Sequence, residues 1–169
     1  RLMAEQTGYD ADTWNELAGM GLLGLTIPEE FGGAGAGAAE LSVVSEQMGR
    51  ALLCAPYLST AVLTPYLLTA LDDAAECADV LPRIAAGELI TTVAFAEPGQ
   101  ARPPEHPAST AIDRGGWRLS GEKTYVLDAA DAPLAGAGEG TGLVAEYFTL
   151  EHRFRQGAAI DRDEGTAPA

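Results

Sequence analysis

The chain has 169 residues, 47% hydrophobic and 21% charged, a balance that excludes intrinsic disorder and a disulfide-stapled miniprotein as the class of the whole chain. That length holds one domain, or one and part of a second. Ten Lys and Arg against 25 Asp and Glu give a net charge of −15, and so anionic a surface repels phosphate backbones and acidic lipid, which argues against nucleic-acid and membrane partners.

Residues 1–10 lack the apolar stretch and small-residue cleavage site of a secretory signal, so a cytoplasmic compartment is expected, although a first residue other than Met suggests a missing leader. Asp12 is placed to cap a first helix over residues 14–20, with Trp14, Leu17 and Ala18 on one face. A short apolar run from Gly21 to Ile27 ends at Pro28-Glu-Glu-Phe-Gly-Gly33, where Pro and paired Gly enforce a turn. Over residues 38–55, Leu41, Val44, Met48 and Leu52 form an apolar stripe opposite Glu40, Glu46 and Arg50, the pattern of an amphipathic helix. Residues 57–71 are apolar on nearly every face. They predict a helix central to a bundle, with Leu67 buried and Pro65 kinking or dividing it. Asp72 or Asp73 then caps another helix, Pro82 suits the first turn of a short one, and Gly87 can end it in the left-handed conformation.

The pattern changes at Leu89. Leu89-Ile-Thr-Thr-Val-Ala-Phe95 is rich in β-branched residues and stops at Glu97-Pro98-Gly99. Thr110-Ala-Ile112, Trp117-Arg-Leu119 and Lys123 to Leu127 read as successive antiparallel strands, with a Pro-rich loop over residues 102–107. Beyond Leu134 the chain loosens into Gly136-Ala-Gly-Glu-Gly140. Leu143, Tyr147, Leu150 and Phe154 then recur at helical spacing before a charged end that reads as disordered. The expected class is α+β: an amino-terminal α-helical bundle over residues 1–88, a partial antiparallel β-domain over 89–134, and a non-homologous or disordered tail over 135–169.

Several motifs carry less than they offer. Gly33-Ala-Gly-Ala-Gly-Ala38 fits a relaxed dinucleotide-binding fingerprint, but no strand leads into it and helices follow, so it reads as the loop before a helix. His106 and His152 are far apart and read as solvated. Glu29-Glu30 and Asp72-Asp73 sit at turns and caps. Cys54 and Cys77 lack metal-ligand spacing and read as core packing; no metal site is expected.

The ordered set Trp14…Gly21-Leu-Leu-Gly-Leu-Thr-Ile-Pro-Glu-Glu-Phe-Gly-Gly33, Glu46-Gln-Met-Gly-Arg50, Leu81-Pro-Arg-Ile-Ala-Ala-Gly-Glu88, Ala94-Phe-Ala-Glu-Pro98 and Gly116-Trp-Arg-Leu-Ser-Gly-Glu-Lys-Thr-Tyr-Val126 resembles the acyl-CoA dehydrogenase family. The resemblance covers roughly residues 13–134. It implies the amino-terminal helical domain and opening strands of a flavoprotein that uses FAD to oxidise the Cα–Cβ bond of an acyl-CoA thioester, in a homo- or hetero-oligomer. By the same resemblance Val93, Phe95, Ala96, Tyr125 and Leu127 are the cofactor-binding candidates. Tyr125 either lies near the flavin or fills the buried face of the sheet, and Val93 and Phe95 are as readily core as flavin contacts. Lys123 is either a solvated strand charge or, with Arg102 and Arg114, a cation offsetting cofactor phosphates.

Two departures stand out. The family commonly has Thr or Ser before Glu-Pro and two residues after the aromatic, hydroxyls that bond the flavin; here these positions are Ala96 and Leu127. The Gly-Ser-Asp that usually follows Glu-Pro-Gly is replaced by Gln100-Ala-Arg102. In the family the carboxylate base comes from a carboxyl-terminal helical domain, so no catalytic residue is assigned within this chain, and alone it is expected to hold FAD weakly and turn over nothing. The competing expectation is a non-catalytic subunit or fragment that associates with a complete dehydrogenase.

Overall fold

The computed structural model describes residues 8–71, 74–99, 108–113, 117–128, 134–137 and 148–149. Its order is α1 (Ala11–Gly19), a 3₁₀ turn (Glu29–Phe31), α2 (Ala38–Arg50), a π-helical segment (Leu58–Leu63) running into α3 (Thr64–Leu71), α4 (Ala74–Ala85), then β1 (Thr91–Ala94), β2 (Thr110–Asp113), β3 (Trp117–Ser120), β4 (Leu134–Ala137) and β5 (Phe148–Thr149). Asp72, Asp73, the loop over 102–107, both histidines, Arg102 and Arg114 lie outside the described residues.

The cap of α1 is Asp10 rather than Asp12. Its Oδ2 accepts from the Thr13 amide at 2.8 Å and the Thr13 hydroxyl at 2.7 Å, satisfying a donor that the first turn leaves free. Trp14 and Leu17 are buried, and the Trp14 indole donates to the Gly87 carbonyl at 3.1 Å. Gly87 ends α4 with φ +76°, as its sequence position predicts, and a Cβ there would stand 2.8 Å from that of Ala18. Only glycine meets both demands without strain.

The segment that offered a dinucleotide fingerprint is a loop that doubles back. The Ala34 amide donates to Gly24, Gly35 to Ile27 and Ala36 to Leu25, all at 2.8–2.9 Å. The approach is so close that a Cβ on Gly33 would overlap the Ile27 carbonyl. The loop delivers the chain to α2, where Glu40 Oε2 accepts from the Gly37 amide at 2.9 Å. Leu41, Val44 and Met48 pack half-buried against the Trp14, Leu23 and Tyr57 cluster. The stripe ends there: the helix stops at Arg50, and Leu52 turns left-handed (φ +50°) and stands 84% exposed.

Residues 57–71 divide at Thr64 into a π-helical and an α-helical piece. Pro65 has no N–H to return to the Ala61 carbonyl, which accepts from the Thr26 hydroxyl at 3.4 Å instead, and the Thr64 amide reaches back five residues to Ser59. Burial is one-sided rather than all-round. Leu68 is core, its neighbour Leu67 is half-buried, and Leu58 and Tyr66 are exposed. Leu68 joins Ile27, Cys77, Val80, Leu81, Ile84 and Leu89 in one apolar cluster. Cys77 is therefore core, as expected, whereas Cys54 is exposed. Pro82 falls inside α4, not at the start of a separate helix.

The strands depart from the expected antiparallel series. Among the described residues only β2–β3 (Thr110↔Ser120 to Asp113↔Trp117) and β4–β5 are antiparallel; β1 pairs parallel with β4, Thr91 opposite Leu134 and Ala94 opposite Ala137. All four β1 residues are buried, which suits a strand covered on both faces and explains its unbroken β-branched run. The strand pattern thus continues past Leu134, and β5 occupies two residues of the stretch read as helical. Residues 123–127 form no strand: Tyr125 and Asp128 both adopt left-handed backbone (φ +53° and +51°). No described helix is long and apolar enough to cross a membrane.

Candidate cofactor-facing site

A buried ladder of hydroxyls joins the π-helical segment to β1. Thr60 Oγ1 donates to the Thr91 carbonyl at 2.8 Å and accepts from the Thr91 amide at 3.0 Å, while Thr91 Oγ1 and Thr64 Oγ1 meet at 2.9 Å. Each buried polar atom is answered, so the strand is fixed to the bundle without a desolvation penalty left standing.

Beyond β1 the chain passes Phe95 and Ala96 to Glu97. Glu97 and Lys123 are each 3% exposed and pair at 2.9 Å. Glu97 Oε1 also accepts from the Ser109 amide at 3.0 Å and the Ser109 hydroxyl at 2.6 Å, and Oε2 accepts from the Ala108 amide at 2.7 Å. Burial alone would raise the carboxyl's pKa, but these hydrogen bonds outweigh it, Ser109 first, and bring it down to about 2. Gly121 allows the contact, because a Cβ there would collide with Ser109. Lys123 is thus neither solvated nor available to cofactor phosphates; its charge is spent on Glu97.

The loop that follows crosses the end of β1. The Thr124 amide donates to the Ala96 carbonyl at 2.8 Å, Thr92 Oγ1 donates to the Leu127 carbonyl at 2.6 Å, and Ser59 Oγ donates to Asp128 Oδ2 at 2.5 Å. Tyr125 projects outward, 81% exposed, and Leu127 is 49% exposed. Tyr125 therefore does not fill a buried face. Phe95 and Ala96 are half-buried nearby, whereas Val93 is buried at 4%. The structure brings Ala96 against the loop carrying Tyr125 and Leu127 and leaves Val93 in the core. Among the described residues nothing accepts from the Ala96 or Leu127 amide, and the Thr124 hydroxyl is buried with no hydrogen-bond partner.

Sequence reasoning missed Ser59, Thr92 and Asp128 altogether. Nothing in residues 69 and 35 positions apart signals such contacts. Glu97 and Lys123 carried a faint signal, charges set three residues after a buried strand and two residues before the aromatic. Among the described residues no cluster of His, Cys, Asp and Glu could hold a metal.

Residues 1–88 match the family model for the acyl-CoA dehydrogenase N-terminal domain. The chain is 38% identical over 117 residues to (2S)-methylsuccinyl-CoA dehydrogenase of Cereibacter sphaeroides, covering 68% of this chain and 21% of that protein. It is 34% identical over 141 residues to acyl-CoA dehydrogenase FadE12 of Mycobacterium tuberculosis, covering 78% and 35%. The crystal structure of the ChsE4–ChsE5 complex from M. tuberculosis matches with a TM-score of 0.73 at 26% identity, over 88% of this chain and 40% of that one. The chain therefore spans about a fifth to a third of the length of these curated relatives. It belongs to the acyl-CoA dehydrogenase family.

Proposed function

We propose that this chain is the amino-terminal helical domain and opening β-region of an FAD-dependent acyl-CoA dehydrogenase, and that its share of the work is one wall of the flavin site. The observation that carries the reading is a set of donors beside Tyr125 from which no described residue accepts: the Ala96 and Leu127 amides and the buried Thr124 hydroxyl. The Thr124 hydroxyl, buried without a partner among the described residues, costs free energy unless a ligand accepts from it, and the two amides stand at the half-exposed edge where the same ligand would reach them. The polar rim of a flavin ring is such an acceptor, so the residues present fit the group although Ala96 and Leu127 replace the family's hydroxyls. Tyr125 supplies an exposed aromatic face next to them.

When bound, FAD supplies the hydride acceptor for the β-carbon of an acyl-CoA. This chain's residues orient it from one side, while the carboxylate that takes the α-proton belongs to the family's carboxyl-terminal helical domain. Homo- or hetero-oligomeric assembly completes the site, and the exposed free thiol of Cys54 suits a reducing cytoplasm. The two missing hydroxyls favour a second reading, a non-catalytic subunit beside a complete dehydrogenase.

The test is to titrate the chain with FAD and then add saturated acyl-CoAs without oxygen. Weak FAD binding with no bleaching, and bleaching once the carboxyl-terminal half is supplied, is the expected result. Absence of any flavin binding in both settings would sink the first reading. Bleaching only with a separate complete dehydrogenase, at the rate which that enzyme shows alone, would favour the second.

A further inference from the structure

The loop from Lys123 to Asp128 is held in a form it would not choose. Two of its non-glycine residues, Tyr125 and Asp128, sit in left-handed backbone, and such residues persist only where their surroundings over-determine them. Three of the groups that hold it come from elsewhere in the chain. Glu97 takes Lys123 at the base of the loop. The other two act at the far end: Thr92 of β1 donates to the Leu127 carbonyl, and Ser59 of the π-helical segment donates to the Asp128 carboxylate. Both hydroxyls are themselves fixed, Thr92 within a fully buried strand and Ser59 within a buried turn where its Oγ also lies 3.1 Å from the Pro56 carbonyl.

We infer that Ser59 and Thr92 are positioning residues, which lock the Tyr125–Asp128 loop so that the Leu127 amide and the Tyr125 ring are presented before any cofactor arrives. The inference rests on the flavin reading of this edge. The π-helical segment has a purpose on this view. π-Helical turns concentrate at functional sites, and this one carries Ser59 to the loop while Thr60 and Thr64 anchor it to β1. Pre-setting the loop removes an ordering cost that binding would otherwise bear.

The experiment compares wild type with Thr92→Val, Thr92→Ser and Asp128→Ala in the whole chain. Asp128→Ala removes the Ser59 bond from the loop side and leaves the buried helix untouched. Hydrogen exchange of the Thr124 amide, which donates to Ala96 across the loop, reports closure without any cofactor. Expected are roughly tenfold faster exchange at Thr124 in Thr92→Val and Asp128→Ala, near-wild-type exchange in Thr92→Ser, and unchanged exchange in α4. FAD affinity should fall by a similar factor in the two disrupted variants only. Unchanged Thr124 exchange would overturn the lock. Faster exchange with wild-type FAD affinity would overturn the positioning role, leaving a structural contact. A wild-type chain that closes its loop but never takes FAD, alone or with the carboxyl-terminal half, would overturn the flavin reading and with it the positioning role, while exchange still reports whether the lock exists.

Discussion

Around α4, Leu68, Val80, Leu81 and Ile84 are sealed in an apolar cluster with Ile27, Cys77 and Leu89. At the end of β1 the groups sealed just as thoroughly are a carboxylate, an ammonium and a row of threonines. Apolar packing is forgiving because its partners are interchangeable and carry no charge. The seam is not, because each of its members is stable only while its partner is present. The bundle can therefore drift in sequence while the seam tolerates little change, and it is the seam that carries the candidate site.

The largest effect should come from splitting the ion pair. Lys123→Met leaves Glu97 buried without its cation and should cost about 3–5 kcal/mol by denaturant unfolding. The same substitution in a Glu97→Gln background should cost well under that, and equal costs in the two backgrounds would show that the pair is not coupled.

Acid offers a milder break. Glu97 titrates at about 2 in the folded chain against an ordinary 4.5. The stability its ionised form contributes is therefore complete above pH 4.5 and is lost as pH falls from there toward 2, about 3 kcal/mol in all. Glu97→Gln should lack this component, so unfolding curves of the two proteins should converge as the pH drops through that window. Parallel curves would refute the assignment.

Next in size is Gly87→Ala. It forces a Cβ into left-handed backbone and against Ala18, and it should cost about 2 kcal/mol. Smallest is Ile84→Val, a core methylene lost at about 1 kcal/mol. Its cost should be the same at pH 3 and pH 7, the contrast with Glu97 that defines the two regions.

What could be read from the sequence divides along the same line. α1, α2 and the start of β1 announce themselves because apolar periodicity is local, although the cap of α1 was misplaced by two residues and α4 was read as two helices split at Pro82; the Gly87 stop was legible because one residue type does that job. The π-helical turn was not: its signals are Pro65 and a threonine 35 residues upstream of Ala61 that answers a carbonyl. The parallel β1–β4 pairing joins residues 43 apart, and no local pattern separates a parallel partner from an antiparallel one. The turn at Tyr125 was hidden by β-branched and aromatic neighbours that resemble a strand. At the candidate site the aromatic and the two substituted positions were visible through resemblance, whereas Ser59, Thr92 and Asp128 act through tertiary contacts alone.

The β1–β4 pairing also sets a schedule for the newborn chain. A ribosome finishes β1 at Ala94 but has about 40 residues still to add before β4 is complete at Ala137. At ~5–20 residues per second that interval is roughly 2–8 seconds. Throughout it β1 carries an unpaired edge rich in β-branched residues, the kind of edge that recruits strands from other chains. Crowded polysomes are where such an edge is most exposed to neighbours, so slowing translation between Ala94 and Ala137 should raise aggregation of the nascent protein while leaving the finished fold unaltered.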